Sequence, residues 1–155
     1  MNRRFEQVHT VHDYYDGPRS GVADFNGRPV FYRSMYLDTP TWNPDEDRFE
    51  LSPITPAALK LAIEDSQLWQ RWQKAELAGT APKLLEGAER VLPADAARHA
   101  ELMILLDPML RIDPAHRILV TGEFRVEMRG QQSAGILGDL VVSWTPTDGV
   151  PRGAA

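Results

Sequence analysis

Close to the start of the chain, His9, His12 and Asp13 fall within the short run HTVHD. On a helix, two histidines three residues apart share a face and could chelate a metal ion. The surrounding QVHTVHDYY is rich in β-branched and aromatic residues, the composition of a strand. On a strand the two imidazoles point to opposite sides, and only His9 with Asp13, or His12 with Asp16, share one. The strand reading therefore predicts no metal site here, and nothing elsewhere in the chain calls for a cofactor.

The next stretch, DGPRSG, invites comparison with an anion site, in which a turn aims backbone N–H groups at a phosphate or carboxylate. A nucleotide phosphate loop needs the longer GxxxxGK[ST] pattern running into a helix. Here a strand follows, and Pro18 removes one donor. GPRSG is also not a G-x-S-x-G nucleophile elbow, because its serine comes one place too late. Turn chemistry accounts for Gly17, Pro18 and Gly21. It does not account for Arg19, Asp24 or Arg33. With His12 and Asp16 these form a candidate ligand set, in which the arginines hold an anionic substrate and His12 or Asp24 moves a proton.

A second candidate lies in NPDEDRFE, where Asp45, Glu46 and Asp47 stand close to Trp42. The EF-hand pattern is not met, since, counting from Asp45, Phe49 and Glu50 occupy the places of an Asp or Asn and the Gly. Clustered carboxylates do speed encounter with a basic protein surface, and an exposed tryptophan can anchor it. Trp69 and Trp72 are expected to pack in the core, and His99 to be a partly buried, satisfied histidine. His116 is read as a loop residue.

Composition narrows the classes. The 155 residues carry a net charge of −5, are 43% hydrophobic and contain no cysteine. Disulfides and thiolate chemistry are excluded. Basic residues are scattered apart from Arg3–Arg4, which disfavours nucleic-acid binding. No run approaches the ~20 apolar residues of a membrane-spanning helix. The basic N-terminus has no apolar stretch after it, so a cytoplasmic location without membrane attachment is expected.

The elements that must position these residues are legible from pattern. Asn26-Gly27 between two apolar stretches signals a two-residue hairpin pairing Phe25 with Arg28, Asp24 with Pro29, Ala23 with Val30 and Val22 with Phe31. Pro29 lacks an N–H, so that strand should lie at a sheet edge near its start or gain an outer neighbour only further along. FELSPI reads as a short strand. Thr55 and Pro56 open a helix that runs to Ala78 with Gly79 as its stop, and Leu59, Ile63, Trp69 and Trp72 are its expected apolar side. A second helix spans Pro93 to Asp107, with His99, Leu102, Met103 and Leu106 on one face. In ILVTGEFRVEMR, apolar Ile118, Val120, Phe124, Val126 and Met128 alternate with mostly polar neighbours. GILGDLVVSW returns with Ile136, Leu140, Val142 and Trp144 on one side.

Strands at both ends with helices between them predict an α+β fold, a mainly antiparallel, twisted sheet of about five strands curled or packed around two central helices. Residues 1–146 are read as one domain and 147–155 as a flexible tail. The functional expectation is a small, acidic, non-enzymatic interaction module. It would meet a protein partner with a basic surface through Trp42, Asp45, Glu46 and Asp47. The alternative is an enzyme or ligand binder built on the N-terminal hairpin, and the two differ in whether His12, Asp16, Arg19, Asp24 and Arg33 converge on one pocket.

Overall fold

The structure, a computed structural model, describes residues 4–14, 17–35, 48–83, 89–127 and 139–147. Its strands are β1 (Glu6–Tyr14), β2 (Pro18–Phe25), β3 (Arg28–Ser34), β4 (Arg48–Pro53), β5 (Ile118–Glu127) and β6 (Asp139–Pro146). Two helices, α1 (Pro56–Leu77) and α2 (Ala96–Leu106), separate β4 from β5. Every strand pairing is antiparallel.

The α+β class and the antiparallel sheet agree with the sequence reading, but the strand number and shape differ. Six strands close in chain order into a barrel. Two local facts cause this. Arg48–Pro53 is a full member that bridges β3 to β5, and β1 meets β6 through Glu6↔Val142 and Gln7↔Val141. Closure leaves no room for helices inside, so both pack against the outer surface.

The β2–β3 hairpin has the predicted register, from Phe25↔Arg28 to Val22↔Phe31. Asn26 and Gly27 take φ of 52° and 78°, the positive pair that a type I′ turn requires. Glu6 reaches over from β1 and accepts from both turn amides, Asn26 N at 2.9 Å and Gly27 N at 2.8 Å. β4 pairs with β3 from Val30↔Pro53 onward, past Pro29, as the missing N–H demands.

The barrel interior is filled. Val8, Ala23, Val30, Tyr32, Phe49, Leu51, Val120 and Val142 are buried there, with Phe124 and Trp144 packed against them. Tyr32, Phe49, Phe124 and Trp144 stack at centroid distances of 5.5–6.1 Å in tilted and edge-on arrangements. Gly122 makes this possible, since a Cβ there would stand 2.7 Å from the Trp144 ring. Among the expected alternating residues, Ile118, Val120, Phe124, Leu140, Val142 and Trp144 belong to this core, whereas Val126 is exposed. Met128, Ile136 and the chain beyond Thr147 lie outside the described residues.

A second core lies outside the barrel, where Val22 of β2 meets Ala62 and Leu68 of α1, Leu102 and Leu106 of α2, and Val91. Thr55 caps α1 as expected, its hydroxyl accepting from Ala58 N at 3.1 Å, and Gly79 ends it at φ 74°. Of the expected side of α1, Leu59 packs against this core, but the fully buried residues are others. These are Ala58, Ala62 and Leu68, while Trp69 remains 43% exposed and Trp72 is half-buried. The alanines let the helix approach the sheet closely, and that leaves the indole of Trp69 at the margin. On α2, Leu102 and Leu106 are buried and Met103 is half exposed.

Candidate functional site

β1 is extended, yet its residues do not alternate strictly. Its pairing with β2 slips between Val8 and Thr10 and again around Asp13. Such bulges add a residue to one strand and re-aim the side chains that follow. The consequence is visible in the contacts. Thr10 Oγ1 accepts from Val22 N at 3.0 Å and lies 3.0 Å from His12 Nε2. Ser20 donates to Asp13 Oδ2 at 2.6 Å. Tyr32, from inside the barrel, donates to the Thr10 carbonyl at 3.0 Å. This close approach requires Gly21, because a Cβ there would fall 2.1 Å from Thr10 O and 2.7 Å from the Tyr32 hydroxyl.

The irregular strand faces a broad, half-open cleft of about 1960 Å³, walled by β1, the two helices and the ends of β5 and β6. Small-molecule pockets usually measure about 300–1,000 Å³, so one such ligand would fill only part of it. His12, Asp13, Asp65 and His99 line it among apolar residues that include Phe31, Trp69, Met103, Leu106 and Leu110.

Asp65, on α1, links the two imidazoles. It lies 2.6 Å from His99 Nδ1, and its charge is felt by His12. His12 keeps accessible surface, but the cleft walls strip away much of the water around it. That desolvation pushes its pKa below the ordinary histidine value, against the opposing pull of Asp65 and Asp13. Its neutral form therefore prevails at neutral pH. The Thr10 hydroxyl can donate to a bare Nε2 or accept from a protonated one, so it holds the ring in either tautomer. His99 Nε2 is buried without a hydrogen bond among the described residues, and Glu89 Oε2 stands 3.5 Å away as a charge contact only. The expectation of a fully satisfied His99 thus holds for one ring nitrogen.

The sequence-level candidates are distributed unevenly around this cleft. His12 lines it. Asp24 does not, and bonds instead to His9 Nε2 at 2.9 Å. Arg19 is buried at 2% exposure and Arg33 sits in β3 opposite Ser20; neither lines the cleft. Asp16, Trp42, Asp45, Glu46 and Asp47 lie outside the described residues. Arg71, considered with the tryptophans, makes a two-pronged bond to Asp95 at 3.1 and 2.7 Å that ties α1 to the start of α2. His116 bonds to Asp113 at 2.7 Å in the short turn before β5. The residues that sequence reasoning missed are Asp65 and Thr10 acting with His12, while Asp13 was weighed there only as a metal ligand. No sequence spacing joins β1 to α1, and the register shifts on either side of Asp13 let it line the cleft together with Thr10 and His12.

Among the described residues, no three His, Asp or Glu side chains are grouped as metal ligands. No helix among them is long and apolar enough to cross a membrane. Comparison of the chain with protein-family models, with curated proteins and with solved structures finds no match.

Proposed function

We propose that this protein binds a small organic molecule in the cleft between β1 and the helices. The observation that carries this reading is the joining, in one concavity, of polar His12, Asp13 and Asp65 with an apolar wall of Trp69, Met103, Leu106 and Leu110. Few convergent polar groups on a mostly apolar surface are what a ligand pocket needs, the former for orientation and the latter for affinity. A neutral His12 flanked by carboxylates is also a competent proton acceptor, so the same site suits acid–base chemistry on a bound substrate. The barrel interior is occupied by Tyr32, Phe49 and their neighbours, whereas the cleft is open to solvent on its outer side. The test is a small-molecule screen followed by amide chemical-shift mapping. Binders should perturb residues 10–13 of β1 and 65–69 of α1 together. Binders that map elsewhere, or none from a diverse set, would count against the cleft.

A second reading is docking of a basic protein through Trp42, Asp45, Glu46 and Asp47, supported by the net charge of −5 and the clustering of these carboxylates. Replacing the three acidic residues with alanine should slow association with such a partner and flatten its salt dependence. Unchanged on-rates would remove this reading.

A further inference from the structure

Resting on the cleft reading, we propose that the occupant carries a cationic head, an alkyl or aryl ammonium, seated among Asp13, Asp65 and Trp69 with its apolar body along α2. The argument begins with charge. Each of the two carboxylates has one oxygen committed, Asp13 Oδ2 to Ser20 and Asp65 Oδ1 to His99, which leaves the other oxygen of each with no bond among the described residues. His12, close enough to feel both charges, is held neutral by desolvation and adds no charge of its own.

The cations that line the cleft are placed elsewhere. Arg125 stacks over the Phe5 ring at 3.8 Å and pairs with Glu127, while Arg90 lies over Trp72 at 5.7 Å. Lys74 is nine residues along α1 from Asp65, about 13 Å at the helical rise. The floor around His12 is thus a negative spot in an apolar enclosure. An anion would be repelled there, and a neutral polar group would leave the second oxygen of Asp13 and of Asp65 without a charged partner.

Trp69 supplies an independent reason. It follows Asp65 by four residues, so the two share a face of α1 one turn apart. Its indole is 43% exposed and lines the cleft rather than the core. A carboxylate beside an open indole is a natural seat for an organic ammonium, which gains both a charge-assisted hydrogen bond and attraction to the ring face. Beyond it, Met103 and Leu106 of α2 offer apolar surface to a chain or ring attached to that nitrogen.

Three probes with one tail separate the possibilities: octylammonium, 1-octanol and octanoate, titrated by calorimetry and by tryptophan emission. The expected result is saturable binding of octylammonium, with octanol about tenfold weaker and octanoate weaker still. Asp13→Asn and Asp65→Asn keep the acceptors used by Ser20 and His99, and each should weaken octylammonium about tenfold while leaving octanol unchanged. Trp69→Leu should weaken the ammonium more than the alcohol. Circular dichroism checks that each variant folds, and if Asp65→Asn does not, Asp13→Asn carries the test. Octanol or octanoate binding as tightly as octylammonium, with shifts mapped to the cleft, would overturn the cationic head and leave the cleft standing. Shifts absent from residues 10–13 and 65–69 with all three probes would overturn both.

Discussion

The behaviour of His12 with pH follows from its surroundings. Desolvation in the cleft lowers its pKa in the folded chain, while in the unfolded chain it titrates near 6.5. Between those two values the unfolded state holds more protons, so stability rises with pH. Above the ordinary value both states are neutral there and the group has no effect. As pH falls through that value the folded state is penalised, and the penalty levels off below the folded pKa. A His12→Gln chain lacks this contribution. Urea denaturation over about pH 5 to 7, the histidine range, should show the natural chain losing stability relative to the variant as acid is added. Parallel profiles would mean that the ring is not desolvated. Octylammonium affinity should fall over the same window in the natural chain, because a protonated His12 places a like charge beside the ammonium.

At the scale of elements, the parts of the fold that local chemistry dictates were legible in the sequence. Asn26-Gly27 set the hairpin and its register, Thr55-Pro56 and Gly79 bounded α1, and period-two alternation oriented Val120, Phe124, Val142 and Trp144 inward. These signals are carried within a few residues of chain, so no distant information is needed to read them. The site was less legible, for two reasons. Strict alternation puts His12 and Asp13 on opposite sides of a strand, yet around the bulges in β1 both line the cleft. A bulge answers to strain and pairing between strands, and HTVHD alone carries no mark of it. The orientation of α1 was legible only in part, Leu59 facing the core but Trp69 not, because large residues alone do not decide it. Ala58 and Ala62 decide it, since the smallest side chains permit the closest approach to the sheet, and Asp65 and Trp69 consequently face the cleft. Asp13, Asp16, Asp24, Arg19 and Arg33 drew attention by density in sequence, whereas Asp65 was brought near His12 by packing between elements.

For the whole molecule, the decisive feature is that closure is uneven. β5 and β6 pair along eight positions, from Val120↔Pro146 to Glu127↔Asp139, and β2 and β3 pair along six. β1 and β6 share only Glu6↔Val142 and Gln7↔Val141 before their described residues diverge. The cleft opens at this divergence, with Val8 to Tyr14 on one side and Phe124 to Val126, Asp139 and Leu140 on another. A ladder opens locally at a cost set by the bonds and packing it must break, so the shortest pairing should open first. Hydrogen exchange followed residue by residue should therefore show the bonded amides of the β1–β6 seam exchanging before those of the β2–β3 and β5–β6 ladders, with a gap of at least tenfold in protection, about 1.4 kcal/mol. Equal protection around the barrel would show that the interior aromatic cluster, rather than the ladders, governs opening. A ligand in the cleft bears on the same seam through β1, which carries both the Glu6–Gln7 pairing and Asp13. Saturating octylammonium should slow exchange at Glu6, Gln7, Val141 and Val142 more than in the β2–β3 hairpin, because a molecule that binds only the closed form suppresses opening in proportion to its occupancy. Uniform slowing across all strands would place the coupling in global stability, and slowing confined to the helices would separate the cleft from the barrel's weakest join.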